Sequence, residues 1–83
     1  MAELVFFASI REDLGCERIN VDISEGATLS ELMKLIVETH GESWHQALTA
    51  ENVRVAVNQE LVTGNPQLGN QDEVAFFPPV TGG

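Results

Sequence analysis

The sequence predicts an α+β domain in which one main helix packs across a mixed β-sheet, followed by a flexible C-terminal Gly-Gly tail that leaves the fold. Three stretches carry that prediction. Leu4-Val5-Phe6-Phe7-Ala8 is an unbroken apolar run, the pattern of a strand buried on both faces near the middle of a sheet. Leu29, Leu32, Met33 and Ile36 recur at i, i+3, i+4 and i+7, which gives a helix one apolar stripe to lay on that sheet. Val74-Ala75-Phe76-Phe77 is β-branched and aromatic, and Pro78-Pro79 must end that strand because neither proline can donate a ladder hydrogen bond.

Taken in order, residues 3–9 form the first strand, and residues 11–15 make a polar connection with room for a helical turn. Arg18-Ile19-Asn20-Val21-Asp22-Ile23 alternates, with Ile19, Val21 and Ile23 on one face, as a half-buried strand requires. After the Ser24-Glu25-Gly26 turn, Thr28 and Glu31 stand at the spacing of a capping box, in which each side chain satisfies a backbone N–H at the helix start. Gly41 after His40 is a suitable stop. Residues 42–48 read as a short helix with Trp44 closing the end of the core. Residues 53–57 are the next strand, Asn58-Gln59-Glu60 a turn, and Leu61-Val62 a short return. Thr63-Gly64-Asn65-Pro66 turns again, and residues 67–72 form a polar loop before the last strand. The order is ββαβ(β)β, with residues 1–77 as the folded domain and 78–83 as the tail. The pattern by itself leaves the sheet order open.

At 83 residues only one domain fits, able to bury about 60–65% of its unfolded surface. Thirteen acids against four bases give a net charge of −9, which argues against nucleic acid and anionic membranes and favours a partner with a basic face. Cys16 is the only cysteine, so no internal disulfide can form, and a reducing cytoplasm is the compartment that suits it. Its neighbours Asp13 and Glu17 have the wrong sign to activate a thiol. His40 and His45 have no ligand set at metal spacing, and no metal site is expected. No apolar run approaches the length of a membrane span, and the N-terminus lacks the order of a signal peptide. There is no Ser-His-Asp or Cys-His arrangement, no phosphate-cradling glycine loop and no paired carboxylates, so catalysis by this chain alone is not expected.

The tail is where chemistry is expected. Two adjacent prolines favour an extended conformation, and residues 78–83 can span roughly 20 Å. Gly82 and Gly83 carry no Cβ, so the terminal carboxylate can pass through a channel too narrow for side chains. A carboxylate is a poor electrophile, but as an acyl adenylate it yields to a sulfur or nitrogen nucleophile. The alternative is a frayed end that happens to finish in glycine.

The run 72–83, Asp-Glu-Val-Ala-Phe-Phe-Pro-Pro-Val-Thr-Gly-Gly, resembles the ending of the small, sulfur-carrier subunit of molybdopterin synthase. Leu4-Val5-Phe6-Phe7-Ala8 with Arg11, Glu12 and Gly15, and Val55-Ala56-Val57-Asn58-Gln59, extend the resemblance over nearly the whole chain. Its clearest departure is Gly69-Asn70-Gln71 before Asp72, where that family commonly has a tighter Asp-Gly type turn. The resemblance implies a ubiquitin-like β-grasp with first and last strands as central neighbours. It also implies that Gly83 is adenylated by an ATP-dependent adenylating and sulfurating enzyme and then thiocarboxylated. No cofactor is held permanently; ATP is consumed by the activating enzyme and the acyl adenylate is transient. Pro78, Pro79, Val80, Thr81 and Gly82 would insert the tail into the large subunit, which supplies the catalytic residues within a heterotetramer, and sulfur would pass to a cyclic pyranopterin precursor.

Adjacent aromatics on a strand point to opposite faces, so a single helical layer leaves aromatic area open, and Phe7, Leu61 and Phe77 are expected to form a docking patch. Three other functions compete: a carrier for thiazole or another sulfur pathway, a ubiquitin-like modifier attached through Gly83 to lysines, and an inert binding module. The Phe77-Pro78-Pro79-Val80-Thr81 ending favours the molybdopterin carrier over the thiazole carriers, which share Gly-Gly but lack it.

Overall fold

A computed structural model describes residues 1–78 of the chain; Pro79, Val80, Thr81, Gly82 and Gly83, on which most of the tail expectations fall, lie outside the described residues. The chain order is β1 (Ala2–Phe6), α1 (Ala8–Leu14), β2 (Arg18–Val21), α2 (Leu29–His40), α3 (Glu42–Leu48), β3 (Arg54–Val57), β4 (Glu60–Val62) and β5 (Glu73–Phe77). The strands form one mixed sheet in the order β2-β1-β5-β3-β4, with β1 and β5 parallel and the other pairs antiparallel. This is the β-grasp arrangement the resemblance implies.

The two most apolar strands lie side by side in the interior of the sheet, where the helices cover one face and neighbouring strands leave Val5 and Ala75 only 7% exposed on the other. Leu4, Phe6, Val74 and Phe76 are essentially inaccessible to solvent. Fully burying each such side chain is worth about 1.5–3 kcal/mol, so these four residues fix the parallel pairing that no turn enforces. The rung Phe6, Phe76, Val55, Val62 faces the helices. Leu32, Met33 and Ile36 of α2 complete the core, with Leu29 at its margin. At the start of α2 the Thr28 hydroxyl accepts the Glu31 N–H at 3.3 Å, and the Glu31 carboxylate accepts the Thr28 N–H at 3.1 Å, the capping box the spacing predicts. Donation from the Thr28 backbone and then its hydroxyl holds the Glu31 carboxyl below its ordinary range.

Trp44 of α3 meets Phe6 edge to face at 5.6 Å and is stacked by His40 at 4.0 Å, so it closes one end of the core as expected and also draws His40 onto its ring. Gly41, between the two helices, has φ 95°, a conformation that disfavours any side chain.

Two expectations need correction. The polar connection over 11–15 is part of a seven-residue helix that begins at Ala8, so the first strand stops at Phe6 rather than running to residue 9. Ile10 and Leu14, four apart, put one apolar edge of α1 on the core, too short a pattern to stand out beside the preceding apolar run. Residues 67–72 are not merely a polar loop. Leu68 is 2% exposed, and its backbone is tied in both directions, its N–H to the Ala27 carbonyl at 2.7 Å and its carbonyl to the Gly26 N–H at 3.0 Å. A lone leucine among turn residues has no periodicity to announce it, and its burial comes from the loop folding over the start of α2.

Candidate docking face

The helices cover one face of the sheet and leave the other open. Register alone defines the open face: Arg18, Val5, Ala75, Ala56 and Leu61 lie on one rung across all five strands. Alternation then places Phe77 on that face with Ala75, and Arg54 with Ala56, while Phe76 and Val55 point to the core. Val5, Ala75 and Ala56 are small or slender and lie low, so the larger groups at the margins stand proud around an apolar floor.

The structure puts all three expected docking residues on this face. Phe7 and Phe77 line one groove of about 550 Å³ with Val5, Ala56, Ala75 and Arg11. Leu61 stands at the far end of the rung, 62% exposed, beside a second depression that includes Arg54 and Val53. A third groove, of equal volume, lies between α2 and α3 and is lined by Met33, Val37 and His45. Size therefore does not distinguish the two grooves; the Phe7 groove is the one continuous with β5, the strand that precedes Pro78.

Phe7 is exposed by 46% yet anchored by its backbone. Its N–H donates to the Phe76 carbonyl at 3.1 Å, and its own carbonyl accepts from Ile10 at 3.1 Å and Arg11 at 3.4 Å. Ala8, immediately after it, has φ 52°, a left-handed conformation that costs a residue with a Cβ about 1–2 kcal/mol. The sharp corner between β1 and α1 thus aims an aromatic ring outward from a fixed backbone.

The root of β5 is clamped in a similar way. Asn58 and Gln59 both have positive φ, forming the two-residue hairpin between β3 and β4. Asn58 reaches from this turn to the start of β5: its amide donates to Asp72 Oδ1 at 2.9 Å, its Oδ1 accepts the Glu73 N–H at 3.0 Å, and its backbone N–H donates to the Glu73 carbonyl at 2.8 Å. The second carboxylate oxygen of Asp72 accepts the Gly69 N–H at 2.7 Å, and the Asp72 N–H donates to the Gly69 carbonyl at 3.1 Å. Asp72 therefore closes the 69–72 turn from both sides despite the absence of an Asp-Gly pair there. Donation from the Gly69 backbone and then the Asn58 side chain holds its carboxyl below the ordinary 3.8.

Other candidates are less constrained. The Cys16 thiol donates to the Arg18 carbonyl at 3.3 Å and is half-buried. His45 faces Glu42 at 3.9 Å, and no cluster of His, Cys, Asp or Glu that could hold a metal occurs among the described residues. No described helix is long and apolar enough to cross a membrane. The basic residues of the open face escaped sequence reasoning: Arg11 lines the Phe7 groove, Arg18 lines it and pairs with Glu3 at 3.2 Å, and Arg54 sits directly opposite Phe77. The alternation Arg54, Val55, Ala56 could have placed Arg54 outward, but its position beside Phe77 required the sheet register.

Three comparisons relate the chain and its fold to known proteins. The profile of the ThiS family matches residues 4–83. The molybdopterin synthase sulfur carrier subunit of Haemophilus influenzae is 36% identical over 83 residues, spanning all of both chains. Among solved structures, SAMP1 of Haloferax volcanii, a small archaeal modifier protein, superposes with a TM-score of 0.74 at 27% identity, covering 99% of this chain and 98% of that one. The complex of subunits 1 and 2 of the molybdopterin-converting factor from Helicobacter pylori contains a chain that superposes with a TM-score of 0.67 at 26% identity, covering 99% and 97%.

Proposed function

This chain belongs to the ThiS family, alongside the molybdopterin synthase sulfur carrier subunits, and from that membership we propose that it carries sulfur on Gly83 for molybdopterin synthesis. The observation that carries the reading is the junction at Phe77: a core strand held on both sides delivers Pro78, half-buried, to the edge of an open apolar face. The fold holds the body rigid against a partner while the six residues 78–83 supply about 20 Å of reach.

In the proposed cycle an activating enzyme binds ATP, and the Gly83 carboxylate attacks the α-phosphorus, releasing pyrophosphate and forming an acyl adenylate. Hydrosulfide, supplied by the activating enzyme's sulfur donor, attacks the acyl carbon, the acyl–phosphate bond breaks with AMP as the leaving group, and loss of the proton leaves a thiocarboxylate. Phe7, Leu61 and Phe77 then dock on the large synthase subunit, Pro78, Pro79, Val80, Thr81 and Gly82 thread the tail into it, and the thiocarboxylate sulfur bonds to a carbon of a cyclic pyranopterin precursor; water then cleaves the acyl–sulfur bond, leaving the sulfur on the pterin and returning Gly83 to the free carboxylate. The large subunit contributes the catalytic residues, two copies of each subunit form a heterotetramer, and the exchange takes place in the cytoplasm. The Helicobacter pylori complex supports a partner of this kind, because there a chain of this fold is assembled with a second subunit.

The test removes the demands of the tail one at a time. Deleting Gly83 shortens the reach by about 3.5 Å and should abolish ATP-dependent adenylate formation. Replacing Gly82 with valine should block transfer while leaving docking intact. Both variants should melt with the wild type. Wild-type adenylation of the Gly83 deletion would overturn the proposal. The likeness to SAMP1 favours conjugation to lysine as the second reading, and a branched peptide joining Gly83 to a target lysine would establish it.

A further inference from the structure

Of four cations in a chain of net charge −9, three are gathered on the open sheet face or its rim, and the fourth, Lys34, lies in α2 on the opposite layer. Arg18 is neutralised by Glu3. Arg11 and Arg54 form no ion pair within 4 Å among the described residues, although acids outnumber bases thirteen to four. Both are exposed, and both stand next to the aromatic pair at the root of the tail, Arg11 in the groove with Phe7 and Phe77, Arg54 opposite Phe77.

We propose that Arg11 and Arg54 form a two-point clamp for carboxylates on the large subunit's surface, placed beside the opening that receives the tail. This rests on the docking reading above and adds the chemistry of the partner's surface: an apolar patch bordered by acidic groups rather than the basic face that the net charge suggests. Guanidinium forks suit this role because they bind carboxylates bidentately and are desolvated at low cost beside apolar surface. A phosphate is the less suitable counterion. The five residues beyond Pro78 can carry the adenylated end of the chain roughly 17 Å away, whereas a carboxylate bordering the opening meets both arginines as Phe7 and Phe77 seat. The overall negative charge governs the approach, and the local positive pair governs the lifetime of the complex.

The experiment measures association and dissociation rates of the purified large subunit with wild-type chain and with Arg11→Glu, Arg54→Glu and Lys34→Glu. All three reversals change the net charge equally, but only the first two act at the face. Arg11→Glu and Arg54→Glu should each raise the dissociation rate about tenfold or more, and Arg54→Lys should recover part of the loss. Lys34→Glu should leave dissociation unchanged. Melting curves should coincide, since neither arginine side chain makes a hydrogen bond or ion pair among the described residues. Wild-type dissociation in both arginine variants, or an equal effect from Lys34→Glu, would overturn the clamp and leave the docking face standing. Absence of binding by the wild type, or binding unaffected by Leu61→Asp, would instead remove the docking reading on which the clamp depends.

Discussion

Leu61 offers the sharpest separation of docking from folding. Its side chain is 62% exposed on β4, a three-residue edge strand, so folding has used only about a third of its apolar surface. Full burial of a leucine is worth about 1.5–3 kcal/mol, and the exposed share leaves about 1–2 kcal/mol to be gained against a partner. Leu61→Ala should therefore weaken binding to the large subunit by about 5- to 30-fold. Leu61→Asp should weaken it further, because docking would then bury a charge in an apolar contact. The cost to the fold should stay within about 0.5 kcal/mol, the usual range for surface positions. Calorimetric titration with the large subunit, beside a thermal melt of each variant, reads both quantities. Unchanged affinity in Leu61→Asp would refute the assignment of the open face. A large loss of melting temperature would show that the exposed side chain supports the fold instead.

Three further outcomes follow from the packing. Leu68→Ala should cost about 2–5 kcal/mol, lowering the melting temperature by more than about 10 °C, because the loop that carries it is pinned to Gly26 and Ala27 and cannot collapse into the vacancy; a loss typical of a surface loop would contradict the burial. Thr28→Ala should cost about 0.5–2 kcal/mol by removing one half of the capping box, seen as a lower midpoint in urea. Asp72 has a carboxyl held below 3.8 in the folded state, so its stabilising contribution is present above that value and is lost as pH falls through the folded value. Asp72→Asn should be less stable than wild type at pH 7, with the gap narrowing in acid melts below pH 3.8; a gap independent of pH would rule out the charged carboxylate as the cause.

The sequence was most readable where one pattern repeated. The Leu29, Leu32, Met33, Ile36 stripe and the Thr28–Glu31 spacing identify α2 and its cap because helix periodicity and capping are local chemistry. The central place of β1 and β5 was signalled by their unbroken apolar runs, but that they are neighbours was supplied only by the family resemblance and their parallel direction only by the structure, since residues far apart in sequence leave no local trace of register. Leu68 and α1 were missed for the opposite reason: each presents only one or two apolar residues, and their role appears when the chain folds back on itself. At the open face, Phe7, Phe77 and Leu61 were legible as apolar residues in excess of what one helical layer can cover. Arg54 and Arg11 were not, because a charged residue on a strand or short helix looks like ordinary solvated surface until the register sets it beside an aromatic ring.

The central claim concerns the terminal carboxylate, and the most direct measurement is the intact mass of this chain isolated from cells that are actively making molybdenum cofactor. The account predicts a fraction heavier by the difference between sulfur and oxygen, with the change confined to the peptide ending at Gly83 and absent when the activating enzyme is deleted. A chain that stays at its unmodified mass under those conditions, while the cofactor is still being made, would contradict it.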